Sequence, residues 1–377
     1  MNHKKKIGID YRVFQSGYAN KGVGNYLHHL LSFFVSQTSS LYEFSFFLFA
    51  NEPIHDHGFL ESLQGKIRCY YIKKAKRFDW FWENVRLPLL IYKAKLDLYL
   101  ATVCLGPIRS IELPFFQPVC TVGIVFDLNI INCTYDPLSQ VYRKMKSYRI
   151  QMRSIKRCPK IITISEYVKQ DLVNKFNLLS HQIEVIYPET NRFIYKESIP
   201  FNKIKFYIIM IGESPNKNIS TGIKAFNKAK KYLPELEMVI VGKKEKILKQ
   251  MTDHEPLQGI FFNDSVDSEQ MRALYNNAQM LMYLSLDEGF GLPILEAMVC
   301  GCPVIASNRL CLKEAAGNAT IQVNPFSVDE IAKAIREIIY NPQLRERLIR
   351  LGFERVRYFR ESGSKGKMVS IVSSLIQ

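Results

Sequence analysis

None of the eight cysteines, at positions 69, 104, 120, 133, 158, 300, 302 and 311, belongs to a Cys-x-x-Cys pair. That excludes a zinc ribbon or a dithiol centre, and a chain of this size has no need of disulfide staples. Reduced thiols in a cytoplasmic protein, and no metal site, are the expectation. Long apolar runs are missing too: no window reaches the ~18 residues of a membrane-spanning helix. Lysines open the chain as in a signal peptide, but Asp10 and Arg12 interrupt the apolar stretch behind them, so neither export by this route nor integral membrane insertion is expected. There is no repeat at solenoid periods and no low-complexity tract. Helix-turn-helix, zinc-finger and RNP-like patterns are also lacking, and nucleic acid is not an expected partner.

What is present fits a globular protein. The 377 residues are 47% hydrophobic and 23% charged, enough for two domains with separate cores. The net charge is +16, and it is uneven: residues 1–200 hold 27 Lys and Arg against 16 Asp and Glu. A surplus of this kind favours an anionic partner, such as a phosphorylated substrate or an acidic membrane face.

Short apolar runs alternate with helical patterns along the whole chain. Strands are expected at Ile7–Asp10, Glu43–Ala50, Ile67–Ile72, Leu98–Ala101, Val119–Phe126 and Lys160–Ile164. In the second half they are expected at Lys205–Ile211, Glu237–Val241, Gly259–Phe262, Gln279–Leu284 and Pro303–Ser307. After the first strand comes a loop through Gly17, Gly22 and Gly24, then a helix with Tyr26, Leu27, Leu30, Leu31, Phe34 and Val35 on one face. The alternation predicts an α/β protein with parallel, doubly wound sheets. The prolines and charges of Tyr187–Asn202 mark a linker, and from Asp329 the pattern is almost wholly helical.

The segment with most chemical content runs from Ser285 to Asn308, SLDEGFGLPILEAMVCGCPVIASN. An apolar strand ends in the loop Asp287–Leu292, where Gly289 and Gly291 allow close approach of backbone to a ligand. Pro293 occupies the expected first helical position, and Gly301 with Pro303 marks the stop. A helix start facing such a loop binds anions, because unpaired N–H groups and the helix dipole both point outward. Glu288 lies in the loop and Glu296 about one turn inside the helix. Beside phosphates they would repel, so they are expected to accept hydroxyl groups of a sugar or ribose.

This segment resembles the Glu-x7-Glu signature of retaining GT-B glycosyltransferases of glycosyltransferase family 4. The resemblance implies two Rossmann-like domains: an acceptor-binding domain at 1–190, a nucleotide-sugar-binding domain at 200–360, and a C-terminal helix at 361–377 returning to the first. It implies Glu288 near the donor sugar hydroxyls, Glu296 on the nucleotide ribose, and the amides of Phe290, Gly291 and Leu292 near sugar and diphosphate. Lys21-Gly-Val-Gly-Asn-Tyr26 resembles the family's glycine loop, which implies that Gly22 and Gly24 approach the diphosphate. Gly212-Glu-Ser-Pro-Asn-Lys-Asn218 is similar to the loop whose Arg and Lys grip the diphosphate; Lys217 matches that lysine, and Asn216 stands in place of the arginine. Lys243 or Lys244 would then supply the missing cation. Phe126-Asp127 stands where many members have His-Asp, which brings Asp127 into the catalytic set and removes a hydrogen bond to the donor sugar.

The implied reaction is a metal-independent, retaining transfer of a hexose from a UDP- or GDP-linked donor to a glycan acceptor carried on lipid, in bacterial surface polysaccharide synthesis. No other cofactor is implied. Asn216 and Phe126 define the rival reading, a GT-B partner subunit with impaired turnover. A second surface feature is the acid-free run Arg143, Lys144, Lys146, Arg149, Arg153, Lys156, Arg157 and Lys160. At helical spacing it forms a basic amphipathic helix suited to an anionic membrane surface. Lys73–Arg77 with the aromatic residues after it is a further candidate surface.

Overall fold

Strands buried on both faces of a parallel sheet read as unbroken apolar runs rather than as alternation. FSFFLFA, LYLATV, YIIMI and EMVIV are runs of that kind, and each forms a strand. The computed structural model describes residues 5–15, 22–38, 44–50, 66–71, 81–103, 113–128, 146–188, 206–251 and 255–376. The chain divides into two compact units, Met1–Glu189 with Ser362–Gln377, and Thr190–Glu361.

In the first unit the described strands are β1 (Lys5–Asp10), β2 (Phe44–Ala50), β3 (Lys66–Tyr71), β4 (Leu98–Val103), β5 (Thr121–Val125), β6 (Lys160–Thr163) and β7 (Ile183–Val185). They pair in parallel in the order β3-β2-β1-β4-β5-β6-β7, with Ile7 opposite Phe46 on one side and Leu98 on the other. Helices α1 (Gly22–Thr38), α2 (Leu87–Ala94), α3 (Lys146–Lys156) and α4 (Glu166–Phe176) accompany them. The expected face of α1 is buried at Tyr26, Leu27, Leu30, Leu31 and Phe34.

The second unit has β8 (Tyr207–Ile211), β9 (Glu237–Val241), β10 (Ile260–Asn263), β11 (Met280–Tyr283), β12 (Val304–Ser307) and β13 (Ile321–Val323). These too are parallel, ordered β10-β9-β8-β11-β12-β13. Around them run α5 (Ile219–Lys230), α6 (Lys244–Leu248), α7 (Ser268–Asn277), α8 (Leu292–Val299), α9 (Leu310–Ala316), α10 (Val328–Tyr340) and α11 (Pro342–Glu361). The last described helix, α12 (Ser364–Ile376), belongs to the first unit. It contacts α1 and β4, buries Met368, Ile371, Val372 and Ile376, and Lys367 Nζ donates to the Val185 carbonyl at 3.2 Å.

Some local expectations are corrected. Gly22 and Gly24 lie in the first turn of α1, not in the preceding loop. Pro293 is the second helical residue of α8, since Leu292 is the first. The three-residue strands β7 and β13 were too short for a pattern to mark. Gly17, Lys73–Arg77, Arg143, Lys144 and all of the expected linker after Pro188 fall outside the described residues.

Candidate active site

In an open parallel sheet, ligands bind beyond the carboxyl ends of the strands, where the chain reverses its direction of winding. In the second unit the chain winds from β8 outward through β9 and β10, then returns to place β11 on the other side of β8. The reversal therefore lies between β8 and β11. The loops leaving these two strands carry most of the candidate residues.

The loop after β8 starts at Gly212, whose φ is +115° and whose missing Cβ would stand 2.4 Å from Lys217 Cγ. Only glycine lets the lysine stem lie back against the strand end. A 3-10 turn, Pro215–Lys217, follows, and Asn218 in the left-handed region leads into α5. The loop after β11 carries Glu288 and ends at Gly291, the residue preceding α8, with φ +100°. No side chain caps α8 and no acidic residue stands in its first turn. Pro293 has no N–H and the Ile294 N–H donates to the Gly291 carbonyl at 3.0 Å, so the Leu292 amide is the leading donor of a helix start of the kind that suits an anion.

The two loops are joined by side chains. Lys217 Nζ ion-pairs with Glu288 Oε1 and donates to the Tyr283 hydroxyl at 2.8 Å. It also lies 4.9 Å from the Tyr283 ring centroid. Asn216 Nδ2 donates to the Asp287 carbonyl at 3.0 Å and to Glu288 Oε1 at 3.4 Å. The Leu286 N–H returns a bond to the Asn216 carbonyl at 2.8 Å. Lys217 and Glu288 are only 19% and 15% exposed, so their attraction is little screened by water. Burial pushes the Lys217 ammonium down, but the Glu288 charge and then Tyr283 outweigh it, and the net direction is up. Tyr283 is raised as well, by burial first and the Glu288 carboxylate second.

Glu296 lies inside α8 and accepts a hydrogen bond from the Tyr275 hydroxyl at 3.2 Å. Phe290 turns its ring inward, edge-on to Phe359 of α11 at 5.1 Å between centroids, and so pins the loop to the core. Its backbone is what remains for a ligand.

Lys217, Asn216, Glu288, Gly289, Phe290, Gly291 and Leu292 thus gather at one edge of the second sheet, with Glu296 one turn away. Asp127, Gly22 and Gly24 belong to the first unit, Asp127 just beyond the carboxyl end of β5. Phe126 is buried there, edge-on to Tyr26 at 5.7 Å, as a core residue. Of the two substitute cations, Lys244 has another neighbour, its Nζ sitting 5.6 Å from the Phe262 ring centroid, while the backbone N–H of Lys243 donates to Glu213 Oε2 at 3.1 Å. Sequence reasoning missed Tyr283. Its signal was a polar tip closing the otherwise apolar strand MLMY. The bracing role of Asn216 was missed as well.

Residues 191–355 match the family model described as glycosyl transferases group 1. Among sequence relatives, the O-antigen chain mannosyltransferase RfbU of Salmonella typhimurium is 32% identical over 209 residues, covering 54% of this chain and 57% of that protein. The O-antigen chain mannosyltransferase B of Escherichia coli is 28% identical over 253 residues, covering 62% and 65% respectively. The matched stretches thus span under two thirds of the length of either relative. The solved sucrose-phosphate synthase of Thermosynechococcus elongatus shares the fold, with a TM-score of 0.73 over 98% of this chain and 99% of that one at 16% identity.

Proposed function

We propose that this chain, whose residues 191–355 match the glycosyl transferases group 1 model and whose fold is GT-B, moves a hexose from a nucleoside-diphosphate sugar to a hydroxyl of a lipid-linked glycan, with retention of configuration. The observation carrying this reading is the convergence of Lys217, Glu288 and the uncapped start of α8 on one strand-order reversal. Mannose is the sugar supported by the two O-antigen relatives, and surface polysaccharide is the product class.

In this reading the diphosphate rests on the amides of Gly291 and Leu292 and on Lys217. As the bond from the anomeric carbon to the phosphate oxygen breaks, negative charge grows on that oxygen. Donors already aimed at it stabilise the charge without reorganising. The acceptor oxygen attacks the same face and its proton passes to the departing phosphate, so no separate base is required. Glu288 uses Oε1 to hold Lys217, leaving Oε2 to accept a sugar hydroxyl. Glu296, steadied by Tyr275, accepts the ribose hydroxyls. The charge is met without a metal ion.

The test is transfer from a panel of UDP- and GDP-hexoses, with the anomeric configuration of the product read by NMR. Lys217→Met and Glu288→Gln are each expected to cut the rate about 100-fold to 1,000-fold, and chelation with EDTA to leave it unchanged. An inverted product would refute retention. Nucleotide binding without transfer to any acceptor would favour the impaired-subunit reading that Asn216 suggests.

A further inference from the structure

Over residues 151–156 the apolar face of the basic helix α3 is turned inside the protein. Met152 and Ile155 are core residues, Gln151 and Ser154 are fully buried, and Arg153 and Lys156, then Arg157 after the helix, are exposed. Exposed apolar surface is supplied instead by the segment leading into β5. Phe115 and Phe116 are 38% and 63% exposed, beside a concave site of about 490 Å³ lined also by Gln117, Val119, Cys120 and Arg157.

The segment is fixed to the end of the helix. The Arg157 guanidinium lies 4.1 Å from the Phe115 ring centroid and donates to the Phe115 carbonyl at 2.6 Å. Gln117 Nε2 donates to the Ser154 carbonyl at 2.7 Å, and the Phe115 N–H donates to Asn84 Oδ1 at 2.9 Å. Two protruding rings are thereby held beside three exposed cations. No acidic residue occurs in the helix or in residues 113–120.

We propose that this face docks on an anionic lipid bilayer, with Phe115 and Phe116 entering the headgroup layer and Arg153, Lys156 and Arg157 meeting lipid phosphates. Charge complementarity selects the partner: cations attract the bilayer surface, while apolar rings gain only if they enter it. Thr121 and Lys160 begin their strands here, so the face lies at the amino edge of the first sheet. Asp127 follows the opposite, carboxyl edge, away from the docking face. The inference goes beyond the donor chemistry and does not depend on it.

The test is sedimentation of the full chain with phosphatidylglycerol-containing vesicles and with pure phosphatidylcholine vesicles. Binding is expected on the first and not the second, and is expected to weaken in salt near 1 M, where the screening length falls to about 3 Å. Each of Arg153→Gln, Lys156→Gln and Arg157→Gln should lower the partition about fivefold, and Phe116→Ala about tenfold. Phe116 is mostly solvent-exposed, so its variant should melt with the wild type, and nucleotide-sugar binding measured alongside keeps the outcome separate from the transferase reading. Equal partition onto both vesicle types would overturn the proposal. So would full binding by Phe116→Ala, or a dimer in solution that dissociates with that change.

Discussion

Lys217 shows why the site is legible only in part. Its spacing from the glycine of the loop, and the glutamate pair eight residues apart, stand out along the chain. Its strongest fixed neighbour does not, because Tyr283 is 66 residues away and meets it only when β8 and β11 become neighbours. The position of that lysine has a consequence for pH. Its folded-state pKa is raised above the ordinary value of 10.5 by Glu288 and Tyr283 against the effect of burial. Stability linked to a raised lysine is fully present below the ordinary value and is lost as the pH climbs through the folded one. The melting-temperature gap between wild type and Lys217→Met should therefore stay constant from about pH 6 to pH 9 and close only in stronger alkali. Tyr283→Phe leaves Glu288 alone to oppose burial, so the alkaline limb of the transfer rate should move to lower pH. A limb that does not move would limit Tyr283 to packing.

Among the elements, the turn into α8 depends on Gly291. A non-glycine residue at its φ of +100° is strained, and a Cβ there would stand 2.7 Å from Leu312 Cδ2 on α9. Gly291→Ala is expected to cost about 1–2 kcal/mol, seen as a fall of about 2–8 °C in the melting of the second unit. Weakened donor binding should accompany it, since the same backbone presents the amides. Buried parallel strands were readable as continuous apolar runs, and Glu237–Val241 has the bounds the pattern gave. The glycines of α1 misled for a physical reason: glycine is a poor helix former, yet this helix starts on two of them while its apolar face is held against the core. The amphipathic reading of α3 identified a helix correctly; over residues 151–156 its apolar stripe lies inside the protein, and a stripe has the same period whether it faces lipid or the interior.

For the molecule as a whole, α12 is the element that crosses from one unit's sequence to the other unit's structure. Deleting residues 364–376 strips cover from α1 and β4, so it should lower the stability of the first unit and spare the second. Both tryptophans, Trp80 and Trp82, lie in the first unit, so indole fluorescence follows that unit alone while far-ultraviolet dichroism follows both. The two signals should melt together or nearly so in the wild type and separate in the deletion, with fluorescence moving first. Loss of both at one lower temperature would mean that the units unfold as one. This arrangement also sets an order of birth. A ribosome must make the whole of Thr190–Glu361 before it delivers the strip that closes the earlier fold, a wait of about ten to thirty seconds at ordinary translation speed. Through that interval the nascent amino-terminal half has one flank bare, and it is then that a chaperone has most to protect.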